Sequence, residues 1–292
     1  MSNMVEGGLI TLGSGKQYIK GKPILSVITA TYNSGKYLEQ AIKSVLDQTY
    51  ENIEFIVVDG ASTDSTLDIV CKYSDKLDYW KSEPDTGIYD AMNKGASIAS
   101  GDYALFLNSD DYLYSKDSVS EVFRVALADG TRPNLILAQM ISAVDNEVFP
   151  EWIYPPKGKG LGSGNPSHQG TLISSNLYKK IPYNQAFRFA GDYDFWETLR
   201  KKNMLYVKYV EKILSVFRMG GTSNCGKHEF LVSLELEICK YMHSGKFSTS
   251  ALVTGFFRGK IKGIVMGVMG ARLYYKYIVY PKYLLLGLFA RE

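Results

Sequence analysis

The chain has 292 residues, 46% apolar and 22% charged, enough apolar material for a full core, which excludes a disordered polypeptide. Cys71, Cys225 and Cys239 form no CxxC pair, and His168, His228 and His243 are scattered. That argues against a disulfide framework or a zinc site and for a reducing compartment. The net charge of +3 hides an asymmetry, because residues 251–292 carry seven Lys or Arg against Glu292 alone, so the body is mildly acidic and the tail basic.

Residues 1–22 lack the continuous apolar stretch of a signal peptide. Their "GSGK" is no phosphate loop, since Ile10 stands where the first glycine belongs and Gln17 where a Ser or Thr belongs. They are read as a flexible lead-in. "ILSVITA" (24–30) and "IEFIVVD" (53–59) are short β-rich runs. Between them Tyr37, Leu38, Ala41, Ile42, Val45 and Leu46 recur at helical spacing. A helix over 64–73 follows, with Asp64 as N-cap. Then come "LDYWKSE" (77–83), a helix around 88–99, the strand "YALFLN" (103–108) and a helix over 117–129. This alternation predicts an open, largely parallel α/β sheet. Such sheets bind ligands at the carboxyl ends of their strands. Asp59 and the adjacent Asp110 and Asp111 fall at those ends.

Downstream lie a strand over 134–142 and "YPPKGKGLGSGNPSHQG" (154–170), which is too long and glycine-rich for a simple connector and reads as a mobile functional loop. A helix over 191–202, a strand ending in the Gly220–Gly221 pair and an amphipathic helix over 226–244 follow. Beyond 247, apolar clusters alternate with single basic residues. The longest uncharged runs, 247–257, 263–271 and 283–290, fall short of the roughly 20 residues of a spanning helix. The composition fits an interfacial segment on anionic lipid. The alternative is a helical subdomain with its Lys and Arg snorkelling outward.

The first strand runs into "TATYNSGK" (29–36) and not into GxGxxG, which disfavours a dinucleotide oxidoreductase. The hydroxyl, aromatic face and amide of Thr31, Tyr32 and Asn33 suit a single base, and Asp59 suits the ring N–H of a uracil. The alternative is an ordinary strand-to-helix turn capped by Asn33 or Ser34.

Taken in order, "ITATYNSGKYLEQAIKSVLDQTYENIEFIVVDGASTDST" (28–66) and "GIYDAMNKGASIASGDYALFLNSDD" (87–111) resemble the family 2 glycosyltransferases, over roughly residues 24–220. The resemblance implies a GT-A (Rossmann-like) fold, a mixed, mostly parallel sheet flanked by helices, with a basic helical C-terminal extension. The domains would be a catalytic domain over 23–225, with a nucleotide half (23–112) and an acceptor half (113–225), and a helical, membrane-associating region over 226–292.

It further implies that the acidic doublet is a DXD-type element. Asp111 would bind Mg²⁺ or Mn²⁺, and Asp110 would contact the ribose or the metal's water shell. A hard cation on the diphosphate stabilises the charge of the leaving group, and carboxylates are its natural ligands. The pattern departs at Met92, where many members carry an Arg. "DTGIYDAMNKG" (85–95) resembles a subgroup that uses Asp85, Asp90 or Lys94 nearby. Inverting transfer needs a general base. Asp192 in "FAGDYDFW" (189–196) aligns with the acid of an "ED"-type motif, with Gly191 in place of the first acid. The alternative is that Asp192 and Asp194 are carboxylates favoured by a helix N-terminus. His168 and Gln169 resemble an "HQ" pair beside the acceptor, and Arg218 with "GGTSN" (220–224) would face the phosphates. A structural histidine and a plain strand-ending turn are the alternatives.

The implied activity is inverting, metal-dependent transfer from a nucleotide-sugar, a UDP-sugar first, to a saccharide acceptor. That acceptor would be a lipid-diphosphate-linked intermediate of surface polysaccharide (O-antigen or capsule) synthesis, at the inner face of the cytoplasmic membrane. The rivals are a non-catalytic nucleotide-sugar-binding module and a sugar nucleotidyltransferase. The latter calls for a basic, glycine-rich phosphate loop that "TATYNSGK" does not supply. The acidic body argues against nucleic acid.

Overall fold

The structure is a computed structural model and describes residues 5–14, 16–144, 147–154, 165–219 and 228–274. Most of the glycine-rich stretch, residues 220–224 and the last part of the basic tail lie outside the described residues. The chain divides into two compact units, Met1–Met140 with Ile153–Phe217, and Ile141–Trp152 with Arg218–Glu292.

The strands are β1 (Val5–Gly7), β2 (Leu25–Thr31), β3 (Ile53–Asp59), β4 (Tyr79–Ser82), β5 (Tyr103–Phe106), β6 (Tyr112–Leu113), β7 (Leu135–Val144), β8 (Glu147–Tyr154), β9 (Thr171–Ser174) and β10 (Val207–Met219). The helices are α1 (Leu38–Leu46), α2 (Thr66–Lys72), α3 (Ile88–Ile98), α4 (Ser118–Ala126), α5 (Ser175–Tyr178), α6 (Gly191–Lys201), α7 (Glu229–Ser244) and α8 (Thr249–Tyr274).

In the first unit the order is β1-β4-β3-β2-β5-β9-β7-β10-β6. The centre is parallel, with β2 between β3 and β5 and β4 beyond β3. Antiparallel pairings flank it, β1 on β4, β9 between β5 and β7, and β6 on β10. Every residue of β2 and β3 is buried, as parallel central strands covered on both faces require. Successive residues point to opposite faces. Val27, Phe55 and Leu105 meet Leu38 and Ile42 of α1, Val70 of α2 and Val122 of α4 in one core. Ile28, Ile56 and Phe106 meet Met92 of α3, Leu177 of α5 and Trp196 of α6 in the other. Met92, which stands where many members of the resembled family carry an Arg, is therefore a core residue.

Within residues 1–22, read as a flexible lead-in, described residues contact the sheet. β1 extends the sheet through Val5↔Ser82, and the Lys16 ammonium lies 2.7 Å from Asp78 Oδ2 and bonds the Ile53 carbonyl. Asn52 accepts the Ile19 N–H and donates to the carbonyls of Ile19 and Lys22. Three-residue β1 has too little apolar pattern to be read as a strand, and Lys16 reaches its carboxylate across 62 positions.

In the second unit α7 ends at Gly245, whose φ of 68° is left-handed, and the chain turns back into α8. Glu237 accepts from the Ser248 N–H at 2.9 Å and pairs with Lys240, which holds its carboxyl below the usual range. A side chain at Gly255 would collide with Ser233, so the two helices approach closely there. No helix among the described residues is long and apolar enough to cross a membrane.

Candidate active site

The parallel register sets Thr31 beside Asp59 at the carboxyl ends of β2 and β3, and the Gly60 N–H closes on the Thr31 carbonyl at 2.9 Å. Asp59 is fully buried. Its Oδ1 accepts the Ser62 hydroxyl, and its Oδ2 accepts the Ser62 N–H and the Ser82 hydroxyl at 2.7 Å. Thr31 Oγ1 is buried without a hydrogen-bond partner, a polar group that a ligand would satisfy. Asn33 takes a left-handed φ of 49° and accepts the Thr63 N–H, while its own N–H donates to Ser62. Asp64 bridges the same turns, accepting from Gly35 and Thr66. These braces leave the Tyr32 side chain 61% exposed at the strand end.

On the loop before α3, Asp85 lies directly over Gly60, where any side chain would strike it. Burial pushes the Asp85 carboxyl up. The Gly87 N–H and Lys94 pull it down, while the charges of Asp90 and Asp59 add to burial. Lys94 is spanned by Glu83 at 3.1 Å, Asp90 at 3.2 Å and the Pro84 carbonyl. For Asp90, burial is outweighed by the Thr86 N–H and Lys94, so its carboxyl sits below the usual range. Asp90 and Lys94 are thus brought together with each other, and Asp85 is the residue of this motif that reaches the strand end carrying Asp59.

The chain leaves β5 through Asn108 and Ser109 into the doublet. Asp111 is 1% exposed and its N–H bonds the Asn108 carbonyl, while Asp110 is half-buried. Ser109 Oγ lies 2.7 Å from Ser34 Oγ, which ties this segment to the turn after β2. Carboxylate and hydroxyl oxygens are hard donors, and a carboxylate buried this deeply gains from a positive counter-charge, so the donor set fits a divalent cation.

One turn of 3₁₀ helix, His168–Gly170, places the "HQ" pair. His168 Nε2 lies 3.3 Å from Asn108 Nδ2, and His168 Nδ1 lies 3.8 Å from Asp192 Oδ2. Asp192, in the first turn of α6, accepts at Oδ1 from the Tyr193 N–H at 2.8 Å and the Tyr89 hydroxyl at 3.3 Å. Gln169 is buried, with its side chain accepting from the Ser167 hydroxyl and its carbonyl from the Ser215 hydroxyl. Arg218 belongs to the second unit and is buried, and the "GGTSN" stretch after it lies outside the described residues. The sequence reading missed Tyr89 and Asn108. Both lie inside the segments that carry the family resemblance, Asn108 three positions ahead of Asp111.

The sequence model of the family described as "Glycosyl transferase family 2" matches residues 26–196. A Mycobacterium bovis protein described as "PGL/p-HBAD biosynthesis glycosyltransferase" is 30% identical over 207 residues, 69% of this chain and 80% of that protein. Among solved structures, S. aureus TarS 1–349 in complex with UDP superposes with a TM-score of 0.55 at 20% identity, covering 87% of this chain and 72% of that one. The mannosyltransferase PcManGT from Pyrobaculum calidifontis, in complex with GDP-Man and Mn²⁺, superposes with a TM-score of 0.56 at 15% identity, covering 91% and 81%. At those identities the two structures establish the shared fold alone.

Proposed function

The chain belongs to glycosyl transferase family 2, and from that membership we propose an inverting, metal-dependent transferase that uses a UDP-sugar. The observation that carries the reading lies in the first unit, where a buried carboxylate at the end of β5 is linked through Asn108 and His168 to Asp192. Asp111 would hold the divalent cation, with Asp110 beside it. When bound, that cation would neutralise the charge developing on the diphosphate. Thr31, Tyr32, Asn33 and Asp59 would take the base, with Asp85, Asp90 and Lys94 framing the same end of the sheet. A carboxylate at the base edge favours a ring N–H, as uracil offers. A guanine also carries one, so GDP is the informative competitor.

The acceptor hydroxyl oxygen attacks C1 of the sugar, the bond from C1 to the diphosphate oxygen breaks, and that electron pair leaves with the nucleotide. Asp192 takes the hydroxyl proton. Inversion of an α-linked donor gives a β-glycoside. His168 and Gln169 would line the acceptor and phosphate side. The domains follow the family division, a catalytic domain over 23–225 and a helical region over 226–292.

The acceptor is a saccharide carried on a lipid diphosphate, in surface polysaccharide synthesis at the inner face of the cell membrane. Support comes from α8, where Val253, Phe257, Ile261, Ile264 and Val268 form one exposed apolar stripe, Val268 being 85% exposed. Arg258 and Lys260 are exposed on the same helix, whose sequence holds no acid, the pattern of a helix lying in an anionic lipid interface.

The test is UDP release from a panel of UDP-sugars, with GDP-mannose as control, in the presence of lipid-diphosphate-linked saccharides. Acceptor-dependent UDP release that falls at least 100-fold in Asp192→Ala supports the reading. Release from GDP-mannose alone, or an unchanged rate in Asp192→Ala, counts against it.

A further inference from the structure

We propose that Tyr89, His168 and Asn108 are positioning residues that hold both oxygens of the Asp192 carboxylate and fix it relative to the strand end bearing Asp111. This rests on the reading of Asp192 as the general base.

On the Oδ1 side, the Tyr89 hydroxyl reaches Asp192 at 3.3 Å and the Phe189 carbonyl at 3.1 Å, so it sits between the segment entering α6 and the carboxylate. Its ring has no room to swing. Tyr89 is 5% exposed, its ring centroid is 5.4 Å from that of Tyr183, and Tyr183 in turn packs on Phe106 and Phe195. Burial, and then the Asp192 charge, push the Tyr89 hydroxyl well above its ordinary value, so it stays protonated and donates. The ring also covers Gly191, the position at which the resembled motif has its first acid. The contact from Tyr89 therefore stands where a side chain on residue 191 would otherwise be.

On the Oδ2 side, His168 Nδ1 faces the carboxylate at 3.8 Å. Asn108 Nδ2 lies 3.3 Å from His168 Nε2, and an amide NH₂ at that point would make Nε2 the acceptor and leave the imidazole proton on Nδ1, towards Asp192. Asn108 is itself fixed to the doublet, because its carbonyl accepts the Asp111 N–H at 3.1 Å. An unbroken line of contacts therefore runs from the backbone of Asp111 to the base. Such a line matters for transfer, since a misplacement of about 1 Å can cost on the order of 10²-fold in rate.

The structural arm of the test reads the tautomer. Long-range ¹H–¹⁵N spectra of the full chain at pH 8 contain three histidines, and His168 is identified by the signals lost in His168→Gln. Protonated Nδ1 is expected, with the preference lost in Asn108→Ala. Protonated Nε2 in the unsubstituted protein overturns the proposal. The kinetic arm reads UDP released from the accepted UDP-sugar. Tyr89→Phe and His168→Gln are each expected to lower kcat at least 10-fold, Tyr89→Phe with UDP affinity unchanged, and to cause no further loss when combined with Asp192→Asn. A further loss in that background shows that they act elsewhere and overturns the clamp. An Asp192→Asn enzyme that turns over normally instead removes the base assignment, a separate failure.

Discussion

At Gly191 an added Cβ would lie 2.7–2.9 Å from three carbons of the Tyr89 ring, closer than real Cβ contacts come. The ring is packed on its other side by Tyr183 and cannot retreat cheaply. Gly191→Ala is therefore expected to destabilise the protein by about 1–3 kcal/mol, the usual cost of overpacking. A Tm unchanged by the substitution would show that the ring gives way. Neighbouring residues differ in how readily the sequence reveals their work. The positions of Asp59 and Asp111 after β-rich runs and of Asp192 at a helix start are legible from those flanking patterns, while the roles proposed for them come from the family resemblance. The pairing of Lys94 with Asp90 follows the i,i+4 spacing of α3, whereas its pairing with Glu83 depends on how the loop before α3 folds back, which no spacing in the sequence encodes.

Among the elements, α1 and α2 are tied by Glu39, which accepts from Lys72 at 2.7 Å and from the Tyr73 hydroxyl at 2.8 Å, with Lys43 nearby. Lys72, then Tyr73 and Lys43, lower the Glu39 carboxyl from 4.5 to about 2. A carboxyl lowered on folding contributes stability above its unfolded value and loses it as pH falls through the folded one. The Tm gap between the wild type and Glu39→Gln should thus stay constant from pH 7 to 5.5 and close below about pH 4.5. A gap independent of pH would assign the effect to packing. The α/β alternation was legible because β2 and β3 are consecutive apolar runs and α1 carries a clean stripe at Leu38, Ala41, Ile42 and Val45. β1, β6 and β9, of three, two and four residues, were not. Runs so short hold no readable period, and only pairing with a distant partner makes them strands.

For the whole molecule, the acidic body and basic tail translate into a surface prediction. The protein should float with vesicles of phosphatidylcholine containing phosphatidylglycerol and not with phosphatidylcholine alone. Phe257→Glu combined with Ile264→Glu should reduce the bound fraction at least 10-fold while leaving UDP affinity intact. Flotation unaffected by the pair, together with a wild-type dimer that the pair turns into monomer, would identify a second copy as the occupant of the stripe.

The central claim is that Asp111 binds a cation that in turn binds the nucleotide, and isothermal titration of UDP with and without Mn²⁺ tests it most directly. The account predicts that UDP binds at least 10-fold more tightly with Mn²⁺, that Asp111→Ala abolishes this gain, and that Asp192→Ala keeps it. UDP binding indifferent to metal, or unchanged in Asp111→Ala, would reduce the acidic doublet to a buried turn and contradict the mechanism.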